Sequence, residues 1–72
     1  MSLSMWTIYD HPLDDPDHYV ARRFEIDNGI MRTDDTMRSE ELIPLREIFM
    51  RQGLVPLARN DNDEPQIVET WL

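Results

Sequence analysis

The chain has 72 residues, no cysteine, and a formal net charge of -8 from 15 acidic residues against 7 basic ones, all arginine. That length allows one small domain burying only about 60% of the surface its unfolded chain exposes, so help from oligomerisation is expected. The composition excludes disulfides, zinc–thiolate sites, thiol catalysis and lysine chemistry, and a surface of this sign is a poor match for a phosphate backbone.

The opening M1-S-L-S-M-W6 has neither the basic nor the apolar segment of a secretory leader, and L54-V-P-L-A58 is far too short to span a bilayer. The expected location is the cytoplasm. Residues 1–4 are expected to lie outside the fold as a disordered or appended start, leaving one domain over 5–72.

W6-T-I-Y9 is rich in β-favouring side chains and predicts a first strand. H18-Y-V-A-R-R-F-E-I26 alternates, with Val20, Phe24 and Ile26 on one side and Tyr19, Ala21, Arg23 and Glu25 on the other; only Arg22 breaks the apolar side. Asn28-Gly29 then supplies the positive φ angles of a tight hairpin turn, so I30-M-R-T33 is expected to fold back as a third strand, with the chain leaving the sheet at T33-D-D-T36.

A helix follows. Ser39 is the expected N-cap, Glu40 and Glu41 suit the positive end of the dipole, and Pro44 is expected near the first regular position. Leu42, Leu45, Ile48 and Phe49 form its apolar stripe, and Gly53 is placed to close it. L54-V-P-L-A58 and Q66-I-V-E-T-W-L72 are strand-like runs around a polar turn, R59-N-D-N-D-E-P65, with Pro56 best placed on an edge. The fold class read from this is α+β: a small antiparallel sheet in the order β-β-β-α-β-β with one helix packed on one face.

M5-W-T-I-Y-D-H-P12, V20-A-R-R-F24 and I67-V-E-T-W-L72 together resemble short bacterial and phage-type proteins of unknown function. The resemblance covers about half the chain, is strongest at its two ends, and implies no activity, substrate or site.

The segment richest in chemistry is D10-H-P-L-D-D-P-D-H18, which holds both histidines of the chain. His11, Asp14, Asp17 and His18 are suitable ligands for a transition metal, and a metal-binding or metal-dependent hydrolytic protein is the alternative functional reading. The spacing argues against it: the two histidines are separated by Pro12 and Pro16 and match neither a helical i,i+4 pair nor strand alternation. Asp15-Pro16-Asp17-His18 has Asp and Pro at the first two positions of a turn, so a structured polar connection is the expected form. N60-D-N-D-E64 alternates oxygens like a calcium loop but lacks its glycine and distal glutamate. No serine is placed for nucleophilic catalysis, and no catalytic residue, cofactor or metal is expected.

Trp6 and Trp71 read first as core filler, but Tyr9, Tyr19, Arg23 and a tryptophan also make a candidate interaction patch on a sheet face without a helix. Arg22 and Arg23 are alternatively expected to pair with Asp14, Asp15 or Asp17 across the loop. The reading is a small acidic, non-enzymatic protein-interaction module. Its expected partner is a protein, with itself in a homodimer as one case, reached through an edge strand or the open face and with no direct nucleic-acid or membrane contact. A second alternative is an acidic decoy of a nucleic-acid-binding protein.

Overall fold

The computed structural model describes residues 3–58 and 66–72. The elements run β1 (Leu3–Asp10), β2 (Tyr19–Ile26), β3 (Ile30–Ser39), α1 (Leu42–Arg51), β4 (Pro56–Ala58) and β5 (Ile67–Trp71). Their order is the expected β-β-β-α-β-β, and the strands form one five-stranded antiparallel sheet in the order β3-β2-β1-β5-β4. The last strand therefore lies inside the sheet, beside the first.

Strand β1 begins at Leu3 rather than in the W6-T-I-Y9 run, and Leu3 and Ser4 face Ile26 and Glu25 of β2. The β2–β3 hairpin closes through Asp27, Asn28 and Gly29, with φ of 58° at Asn28 and 138° at Gly29, the positive values that Asn-Gly implies.

Strand β3 differs from its expectation, for it does not leave the sheet at Thr33–Thr36 but continues to Ser39. A bulge makes this possible: Arg22 faces Thr36 and Phe24 faces Arg32, so Thr33, Asp34 and Asp35 together stand opposite Arg23. The Thr33 hydroxyl donates to the Arg23 carbonyl at 2.8 Å and accepts from the Asp35 N–H at 3.2 Å, replacing lost ladder bonds. Paired aspartates that look like a loop signal are well tolerated in a bulged edge strand.

The helix starts at Leu42 with Glu41 as N-cap and no side-chain cap. Ser39 ends β3 instead, its hydroxyl accepting from the Glu41 N–H at 3.2 Å. Pro44 is the third helical residue, where the N–H it lacks would have had no intrahelical acceptor, so it costs the helix nothing. At the other end Gly53 takes φ +79°, its N–H donates to Met50 at 3.0 Å, and the Leu54 N–H donates to Phe49 at 3.1 Å. These two bonds make a Schellman cap, and Leu54 packs on the core as the motif favours.

The core is small: Trp6, Ile8, Ala21, Leu45, Phe49 and Trp71 form one buried cluster, with Tyr19, Met37, Leu42, Leu54 and Val68 against it. Trp6 and Trp71 face each other across β1 and β5, and Phe49 tilts over both, with ring centroids 5.3 Å and 5.6 Å away. Each such ring contributes about 1.5–3 kcal/mol by leaving water. The aromatic trio thus joins the two ends of the chain to the helix.

Candidate functional site

Register decides which side chains share a face. Trp6 faces Arg23, Ile8 faces Ala21 and Trp6 faces Trp71, so these residues lie on the helix-covered side. Alternation then puts Leu3, Met5, Thr7 and Tyr9 of β1 on the opposite side, with Val20, Arg22, Phe24 and Ile26 of β2 and Ile30, Arg32, Thr36 and Arg38 of β3. The helix has therefore settled on the less apolar side of β2. The side carrying Val20, Phe24 and Ile26 faces away from it.

One end of this second face is covered by the loop between Asp10 and Tyr19. The His11 N–H donates to the His18 carbonyl at 3.1 Å, and Asp10 N–H to the Gln66 carbonyl at 2.6 Å, closing the loop at its base. Two turns follow, with Asp15 N–H on the Pro12 carbonyl at 2.9 Å and His18 N–H on the Asp15 carbonyl at 3.4 Å. The second is the Asp-Pro-Asp-His turn expected from the sequence. His11, at φ 47°, stands in the left-handed region where the chain leaves β1.

Ion pairs bind the loop to the sheet. Asp14 accepts from Arg22, and Asp15 accepts from Arg38 Nε at 2.9 Å and from His18 Nδ1 at 2.8 Å. Within the loop Pro12 is buried, and on the sheet Val20 and Thr7 are only 1% and 5% exposed. The hydrogen bond from Arg22 holds the Asp14 carboxyl below its ordinary range; desolvation opposes it, and the charge of Arg22 adds a lesser lowering effect. Arg22 Nε is enclosed and has no hydrogen-bond partner among the described residues.

The metal-ligand candidates are not gathered round a common point. His11 Nδ1 contacts Asp10, whereas His18 Nδ1 contacts Asp15. Asp14 turns to Arg22, and Asp17 is exposed. Among the described residues no group of three or more His, Cys, Asp or Glu side chains is arranged to hold a metal ion. The calcium-like run N60-D-N-D-E64 lies outside the described residues.

The candidate patch residues are likewise divided. Trp6 and Trp71 are buried under the helix. Tyr19 packs against that same core and meets the His11 ring edge-on, with ring centroids 4.8 Å apart. Arg23 also lies on the helix side, bonded to Glu25 at 2.8 Å and Asp35 at 2.6 Å, and these two carboxylates raise its pKa further. Tyr9 alone of the five faces the open side, with the Arg22 guanidinium 5.7 Å from its ring centre.

Beyond the loop, the open face is apolar at its other end. Leu3, Ile26 and Ile30 make one cross-strand row and Met5, Phe24 and Arg32 the next. Leu3 is 51% and Ile30 68% exposed, and Met5, Phe24 and Ile26 are half-buried. No motif or composition marks these residues as a surface. Their signal was present in the alternation of β2, but it reads equally well as a core face.

No protein-family model, curated protein or solved structure matches the chain. Among the described residues no helix is long and apolar enough to cross a membrane.

Proposed function

We propose that the protein is a non-enzymatic interaction module that pairs with a second copy of itself through the open face of its sheet. The observation that carries this reading is the orientation of β2, whose apolar side is turned away from the helix. A sheet face bearing Leu3, Met5, Phe24, Ile26 and Ile30 gains free energy by meeting another apolar layer. A second copy supplies that layer with a matching outline.

The edges of the sheet are poorer contacts. On β3, ten residues long, the bulge at Thr33–Asp35 interrupts the ladder and carries two adjacent aspartates. On the other side β4 has three residues and starts with Pro56, which has no N–H to offer. Face-to-face packing avoids both obstacles.

Size and charge set the expected strength. The apolar end left open by the loop, about five residues of three strands at ~4.8 Å spacing, presents a face on the order of 250 Å², well below the roughly 800 Å² per partner of a standard interface. Each copy also carries a net charge of -8, so the two repel at long range. A weak dimer follows, strengthened by salt, because screening removes the repulsion while the apolar contact remains.

Light scattering across a micromolar to millimolar series, at low and high salt, tests this. The expected mass rises from 8.6 kDa towards twice that value, at lower protein concentration in high salt. Phe24→Glu combined with Ile30→Glu is expected to stay monomeric with an unchanged circular-dichroism spectrum. A single-chain mass under all conditions, or a folded double variant that pairs as well as the wild type, overturns the proposal.

A further inference from the structure

We infer that the cleft between the Asp10–Tyr19 loop and the sheet is a binding site for a carboxylate carried on a small apolar body, with Arg22 as the receiving cation. The cleft holds about 290 Å³ and is lined by Tyr9, Pro12, Leu13, Asp14, Arg22 and Gln66. That volume is at the lower end of ligand sites, roughly 300–1,000 Å³, and suits a group the size of one amino-acid residue. It lies at the opposite end of the open face from the Leu3–Ile26–Ile30 row, so the inference is independent of dimer formation.

Arg22 is built into the floor of this cleft. Its side chain is 16% exposed and its guanidinium lies over the Tyr9 ring, a placement that limits its rotation. Nη2 donates to Asp14 while Nε has no partner among the described residues, so the planar fork that receives a carboxylate through two parallel bonds is half used. Asp14 itself is 61% exposed on a surface turn. It occupies the guanidinium from the solvent side, in the position an incoming carboxylate would take, and exposed pairs of this kind are weak enough to exchange.

The apolar half of the ligand has its own contacts. Leu13, 93% exposed, lines the cleft together with the buried Pro12 and the Tyr9 ring, giving it a small apolar part. A leucine so fully in water contributes nothing to the core. Gln66, which also lines the cleft, carries an amide donor and acceptor. This combination fits the last residue of a peptide with an apolar side chain, or a free acid of the same build.

The test is a titration of ¹⁵N-labelled protein with N-acetyl-leucine, with neutral N-acetyl-leucinamide as control, read at the Arg22 Nε–H resonance. The acid is expected to shift that resonance saturably and the amide to leave it in place. Asp14→Asn removes the competing carboxylate and is expected to tighten binding about two- to fivefold. Arg22→Gln is expected to weaken it roughly tenfold or more. A leucine-terminated tetrapeptide then separates the sources: binding well above that of N-acetyl-leucine supports a chain end, and equal binding supports a free acid. No saturable shift with the acid, equal shifts with acid and amide, or an Asp14→Asn variant of unchanged affinity each overturn the inference.

Discussion

Arg46 of the helix forks onto Glu69 of β5, with Nε to Oε1 at 2.8 Å and Nη2 to Oε2 at 3.2 Å. The same Oε1 accepts the Trp71 indole N–H at 3.1 Å, so one carboxylate ties the helix to the sheet and orients a core ring. Glu69 is 14% exposed, and its removal leaves an indole donor and a guanidinium without their acceptor. Glu69→Ala is expected to cost about 2–3 kcal/mol and lower the thermal midpoint by roughly 10–20 °C. Glu69→Gln, which keeps an oxygen for the indole, is expected to lose about half as much. Urea denaturation of the two variants measures both; equal losses would mean that the retained oxygen contributes nothing and the charge on Glu69 carries the whole effect.

At Gly53 the cost of a side chain is conformational rather than steric. The backbone stands at φ +79° and an added Cβ would meet nothing within 4 Å. Gly53→Ala is therefore expected to destabilise by about 1 kcal/mol without disturbing the packing of Leu54 or Phe49. Equilibrium unfolding gives the magnitude, and near-ultraviolet circular dichroism of the tryptophans reports whether the core is unchanged.

The Asp14–Arg22 pair gives the loop an acid-sensitive hold. The folded carboxyl titrates below its ordinary value of 3.8, so its contribution is complete above that pH. It disappears as the pH falls through the lowered folded value. Wild type is expected to unfold at higher urea than Asp14→Asn near neutral pH, with the two midpoints converging as the pH falls through the lowered folded value. Curves that stay parallel into acid would show that the charge of Asp14 does not stabilise the loop.

The bulge in β3 is expected to protect the edge of the sheet. Asp34 is exposed there, and Asp35 is held by Arg23 Nε at 2.6 Å. Replacing both by valine removes the charges and restores β-favouring side chains to an open edge, so the double variant is expected to aggregate faster on warming. Time-resolved light scattering at a fixed fraction of folded protein compares it with the wild type.

Much of the local structure was legible because it depends on neighbouring residues alone. Asn28-Gly29 announces its positive φ angles, Gly53 announces the helix end, and Asp15-Pro16-Asp17-His18 announces its turn. The apolar positions Leu45 and Phe49 mark the buried helix stripe, although Ile48, read as part of it, is 37% exposed at its border. The bulge was not legible, since Thr33-Asp34-Asp35 has the composition of a loop, and what keeps it in the sheet is the long-range pairing of Arg22 with Thr36 and Phe24 with Arg32.

The amino-acid sequence by itself determined the succession of strands and helix, the turns, and the polar character of the Asp10–His18 connection, because each follows from backbone preferences and side-chain periodicity over a few residues. Tertiary structure alone decided that β5 lies beside β1, that of the three loop aspartates it is Asp14 that meets Arg22, and that the helix covers Ala21 rather than Val20 and Phe24. Alternation with a period of two distinguishes the sides of a strand but is symmetric between them. Here the Trp6–Phe49–Trp71 contact selects the covered side, and that choice leaves the apolar side of β2 facing outward.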